Sequence, residues 1–140
     1  MTPAGLGRTV PGLPVRDVAA AAEHYRECFG FEARHLEPGM AVLMRDDAVI
    51  HLWGATDEEW RSRSDLAERP VCSGAESFIA GTGGCRIEVA DVDALYEELS
   101  GKGVLHKVSA SGIDNTDFGS REFHTVDADG NLLTFYRWVD

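Results

Sequence analysis

With 140 residues, 44% of them hydrophobic and 26% charged, the chain has room for one ordinary domain and enough apolar surface to bury a core, which excludes disorder as its main state. Its 24 Asp and Glu against 13 Lys and Arg leave a formal net charge of -11, which repels nucleic acid and anionic membrane surfaces. The same field draws in cations, so a basic small molecule or a basic protein is the favoured kind of ligand.

The first pattern is an apolar run over residues 10–15, followed by Asp17 and then Val18, Ala21, Ala22, Tyr25 and Phe29 at three-to-four spacing. That pattern predicts a strand feeding a helix capped by Asp17 and stopped by Gly30. Residues 31–36, 40–44 and 49–53 read as three strands of a meander, with turns at Pro38-Gly39 and Asp46-Asp47. Residues 55–83 have no clean period and read as a long connection with one helical turn over residues 58–66, a length that marks functional or linker segments. Periodicity returns with a strand over residues 85–89, an Asp91 cap, and Val92, Leu95 and Leu99 on one helical face ending at Gly101 and Gly103. Three more strands are expected, at residues 105–110, 121–126 and 132–138, with Asp129-Gly130 as a hairpin signal between the last two.

The second half copies the first. Leu13-Pro14-Val15-Arg16-Asp17-Val18 and Ile87-Glu88-Val89-Ala90-Asp91-Val92 share one strand-to-helix junction, so the expected fold is α+β, two βαβββ modules forming a concave mixed sheet. A single domain is read over residues 1–140, with modules at 8–54 and 84–139 joined by the loop 55–83.

Catalytic chemistry finds little support in the residues. Cys28, Cys72 and Cys85 are too few and too far apart for a disulfide framework or a paired-cysteine metal knuckle. No Gly-x-Ser-x-Gly elbow occurs, and the glycines at 81, 83 and 84 lack the Gly-Lys-Ser/Thr ending of a phosphate loop. No leader-like opening and no run of about 18 apolar residues occurs, so the expected setting is the reducing cytoplasm, away from membranes.

The run Phe118-Gly119-Ser120-Arg121-Glu122-Phe123, then Asp127-Ala128-Asp129-Gly130-Asn131 and a terminal apolar strand with Phe135, resembles a known signature. It is similar to that of the bleomycin-resistance branch of the vicinal oxygen chelate superfamily, which also includes glyoxalase I, extradiol dioxygenases and fosfomycin-resistance enzymes. Asp17-Val18, Gly30-Phe31 and the Arg45-Asp46-Asp47 turn agree with the same branch, and the resemblance runs from Arg8 to Val139. The Asp-x-x-Gly-Asn turn supports the fold, and the Arg-Glu-Phe piece discriminates the branch.

Enzymes of that superfamily hold a divalent metal on four strand positions, which the resemblance places at Val10, His51, Gly84 and Thr134. Only His51 is a good ligand there, and a catalytic site needs about three protein ligands, so no metal, no cofactor and no catalytic residue is expected. His24, His35, His106 and His124 form no alternative ligand pair.

The resemblance implies a homodimer whose clefts sequester a natural-product antibiotic, cationic or planar aromatic, without chemical change. The alternative it leaves open is a metal-dependent lyase, dioxygenase or thiol transferase. Expected ligand contacts are His35, Met40, His51, Trp53, Trp60, Phe78, Phe118 and Arg121. Strand alternation puts Val49, His51 and Trp53 on one face and Ile50 and Leu52 on the other, and aromatic faces stack on flat rings and attract cations. Five of these contacts have a plainer alternative: Trp53 as core, His51 as a solvated or core histidine, Trp60 as a loop anchor, Phe118 as dimer packing, and Arg121 with Glu122 as a structural charge pair.

Overall fold

The structure is a computed structural model that describes residues 4–55, 62, 64–68 and 79–139. Strand β1 (Gly12–Val15) leads into helix α1 (Val18–His24), which continues as a π-helical turn over Tyr25–Phe29. The side chain of Asp17 caps α1 by accepting from the Ala20 N–H at 3.0 Å, as its position before an apolar period predicts. Gly30 closes the π turn with φ of 74°, a left-handed conformation that costs a glycine nothing. Strands β2 (Glu32–Glu37), β3 (Met40–Arg45) and β4 (Ala48–Gly54) form the meander, and parallel pairing of β1 with β4 completes a sheet of order β1-β4-β3-β2.

The second half repeats this plan with β5 (Gly84–Glu88), α2 (Val92–Ser100), β6 (Asp114–Asn115), β7 (Ser120–Val126) and β8 (Leu132–Trp138), in the order β5-β8-β7-β6. Asp91 caps α2 through the Ala94 N–H, at 3.0 Å. Each half is therefore a strand, a helix and three further strands, with the four strands in one mixed sheet, which is the expected βαβββ plan.

Two local expectations differ. Residues 105–110 carry one bridge, Leu105 to Thr125, and a short 3-10 turn at Lys107–Ser109 instead of a strand. The His106 ring accepts from the Val108 N–H and Ser109 Oγ accepts from the His124 N–H, so local bonds satisfy groups that a ladder would have used. Between β7 and β8, Asp127 Oδ1 accepts from the backbone of both Asp129 and Asn131, closing a wider turn than the two-residue hairpin expected from Asp129-Gly130.

One hydrophobic core draws on both halves. Leu13, Val15, Tyr25, Phe29, Leu43, Ile50 and Leu52 join Val92, Leu99, Phe123, Leu133 and Phe135, and Phe29 lies 6.3 Å from Phe135 between ring centroids. Polar ties cross the same boundary: the Tyr25 hydroxyl donates to Asp127 at 2.7 Å, and the Asn131 amide donates to the Pro14 carbonyl at 2.9 Å. Gly81 makes the close approach possible, since a Cβ there would stand 2.0 Å from the Asp129 carbonyl oxygen.

Candidate functional site

Alternation gives each sheet a second face, away from the core. On the first sheet, Ile50 and Leu52 are buried while Val49, His51 and Trp53 are half-buried on the other side, as the pattern in β4 predicts. Register sets the residues of this open face in three rows: Glu32, Met44 and Val49; His35, Val42, His51 and Gly12; Glu37, Met40, Trp53 and Pro14. His51 thus stands between Gly12 on one side and Val42 on the other. His35 Nε2 and Glu37 Oε2 lie 3.0 Å apart at the edge. Met40, Val42, Met44 and Trp53 make this a soft apolar wall rimmed by His and Glu.

The open face of the second sheet is polar and aromatic. Arg86, Thr134 and His124 form one row, and Glu88, Tyr136, Glu122 and Asp114 the next, with Trp138 beside Ser120. Arg86 donates to Glu122 Oε2 at 2.6 Å and its guanidinium lies 4.6 Å from the centre of the Tyr136 ring. Ser120 Oγ donates to the same carboxylate oxygen at 3.0 Å. Burial pushes the Glu122 carboxyl up, but the bonds from Arg86 and Ser120 outweigh it and hold the group below the ordinary glutamate value. His124 Nδ1 and Thr134 Oγ1 are 2.7 Å apart, and Trp138 packs edge-on to Tyr136.

Four of the residues expected from sequence, His35, Met40, His51 and Trp53, are brought together on the first open face. Phe118 lies apart from them, exposed at the tip of the loop entering β7, where the Gly119 carbonyl accepts from the Val139 N–H. The Arg121 side chain is on the opposite side of β7 from Glu122: it bonds Asp93 on α2 at 2.6 Å and Asn115 at 3.2 Å, and so ties the helix to the sheet. Trp60 and Phe78 lie outside the described residues. Sequence reasoning did not place Arg86, His124 or Tyr136 in the site: Arg86 and Tyr136 become neighbours of Glu122 only through the β5–β8–β7 register, and His124 stands two residues along β7 on the same face. Alternation along β7 was the available signal, because it forbids Arg121 and Glu122 to share a face.

The metal site of related enzymes does not fit. Gly84 has no side-chain donor, Val10 precedes β1 and has none either, and Thr134 offers only a hydroxyl, which lies 2.7 Å from His124 Nδ1, so His51 is the one good ligand of the four. Among the described residues no three His, Cys, Asp or Glu side chains converge as metal ligands. Cys85 faces the core, where burial and then Asp127 push its thiol up to about 11, against a role as a thiolate.

The family model described as the Glyoxalase/Bleomycin resistance protein/Dioxygenase superfamily matches residues 5–135. The chain belongs to this superfamily. It is 43% identical over 132 residues to the bleomycin resistance proteins of Staphylococcus aureus and Geobacillus stearothermophilus, covering 94% of this chain and 97% of each relative. Among solved structures, the bleomycin-binding protein of Streptomyces verticillus in complex with copper(II)-bleomycin has a TM-score of 0.69 at 24% identity, covering 94% of this chain and 95% of that one. The bleomycin resistance determinant encoded on transposon Tn5 has a TM-score of 0.68 at 20% identity, covering 94% and 98%. At such identities the solved structures bear on the fold. No described helix is long and apolar enough to cross a membrane.

Proposed function

We propose that the protein sequesters a bleomycin-type antibiotic non-covalently, in clefts completed by a second copy of the chain. The observation that carries this reading is the 43% identity, over nearly the full length of both chains, to the bleomycin resistance protein of Staphylococcus aureus. The geometry supports it. The halves of one chain share a core drawn from their helix-bearing faces, so the open face of each sheet lies on the side away from that core. A two-fold dimer brings the first face of one protomer opposite the second face of its partner, twice over. His35, Met40, His51 and Trp53 then form one wall, Phe118 the rim, and Trp60 and Phe78 further contacts, while Arg121 keeps the second wall in place from behind. The acidic net charge favours a cationic drug.

A tryptophan-fluorescence titration with metal-free and copper-loaded bleomycin, with stoichiometry from native mass spectrometry, tests the reading. The expected result is saturable quenching with one drug per chain on a dimer, and recovery of the drug unchanged. Binding to neither form, or conversion of the drug, overturns it.

A further inference from the structure

The Arg86–Glu122 pair has features that stability does not explain. Glu122 is 5% exposed, although it belongs to the open face of the second sheet. Its Oε2 takes both hydrogen bonds, from Arg86 and Ser120, while among the described residues Oε1 accepts none and faces His124 Nε2 at 3.8 Å. Arg86, whose side chain is 44% exposed, uses one N–H on Glu122 and has its guanidinium carbon 4.6 Å from the centre of the Tyr136 ring, which leaves the other guanidinium N–H groups for a partner. A charged pair sunk in a surface is an inefficient stabiliser, because desolvation offsets much of the Coulomb attraction. With one carboxylate oxygen and several donors free of hydrogen bonds among the described residues, it is suited to recognition.

The vacant donors and acceptor select the ligand group. A carboxylate suits Arg86 but is repelled by Glu122, and an ammonium suits Glu122 but is repelled by Arg86. A neutral group with an N–H and a C=O side by side satisfies both. We propose that the Arg86–Glu122 pair is a docking point for a primary carboxamide or carbamoyl group, whose N–H donates to Glu122 Oε1 while its carbonyl accepts from Arg86. The inference rests on the reading that the open faces hold a drug, and it adds which chemical group the second face selects.

The test compares bleomycin with its desamido form, in which one primary carboxamide is a carboxylate, by isothermal titration at high salt to screen the long-range charge of the protein. The wild-type protein is expected to prefer the amide form by about tenfold or more, the worth of one charged hydrogen bond. Glu122→Gln is expected to bring the two forms within about twofold of each other. Glu97→Gln, which removes one exposed charge from α2, is expected to keep the preference. Because the readout is a ratio of two ligands on one protein, a uniform loss of folded protein does not mimic it. Should Glu122→Gln fail to fold, Arg86→Lys keeps a cation beside Glu122 but loses the planar fork, and is expected to weaken the amide form selectively. Binding of both forms without preference, or a preference retained in Glu122→Gln, overturns the docking point and leaves sequestration standing. Binding of neither form by the wild-type protein overturns sequestration, and the docking point with it.

Discussion

Trp53 stands in the row Glu37, Met40, Trp53 and Pro14, half-buried on the side of β4 away from the core. An aromatic anchor in such a place loses its ligand contact on truncation but little core packing, so Trp53→Ala is expected to weaken drug binding by about 1–3 kcal/mol in calorimetric titration. Unchanged affinity with a lowered urea midpoint would instead make Trp53 a core residue. Tyr25 is the opposite kind of residue, fully buried, with its hydroxyl on Asp127 across the two halves. Burial first, and then the Asp127 charge, push its phenol well above the ordinary tyrosine value, so it stays a donor throughout the working range. Tyr25→Phe leaves Asp127 Oδ2 with only the Asn131 amide, and is expected to cost about 1.5–3 kcal/mol in urea unfolding with drug affinity unchanged. Residues such as His51 and Trp53 were legible because a two-residue period puts them on one face and the family resemblance marks that face as the inward one. Arg86 and Glu122 were not, because their meeting depends on pairing between strands far apart in the chain.

At the scale of elements, the caps and stops could be read directly: Asp17 and Asp91 each precede an apolar helical period, and Gly30 takes the left-handed conformation that ends the first. The segment 105–110 was misread because a short run with Leu105, Val108 and Ala110 also suits a turn whose backbone groups are satisfied by His106 and Ser109. Helix α2 is held from both sides by ion pairs, Asp93 with Arg121 of β7 and Glu98 with Arg45 of β3. The hydrogen bonds from Arg121 and Arg45 hold these carboxyls below their ordinary values of 3.8 and 4.5. In the unfolded chain they titrate at those ordinary values, so they bind protons more readily unfolded than folded. Their contribution is complete above the ordinary values and is lost as pH falls through the lowered ones. Urea midpoints are therefore expected to hold level down to about pH 5 and then to decline. The double variant Arg45→Gln, Arg121→Gln is expected to start lower at neutral pH and to show a shallower acid decline. An equally steep decline in that variant would assign the acid limb to other carboxylates.

For the whole molecule, net charge sets two equilibria against each other. Each protomer carries -11, so bringing two together meets mutual repulsion, while a cationic drug approaching either protomer is attracted. Salt screens both, since the Debye length falls from about 10 Å at 0.1 M to about 3 Å at 1 M. If the clefts are completed by a second copy, dimerisation measured by sedimentation is expected to tighten as salt rises, while drug association slows. The drug's dissociation rate should change little, because long-range attraction acts on encounter more than on the seated complex. At low protein concentration the two trends cross: added salt first improves apparent drug binding by populating dimer, then weakens it by screening the encounter. At concentrations where dimer is already complete, only the weakening should remain. A monotonic loss of binding with salt at every protein concentration would mean that one chain holds the drug on a single open face without its partner.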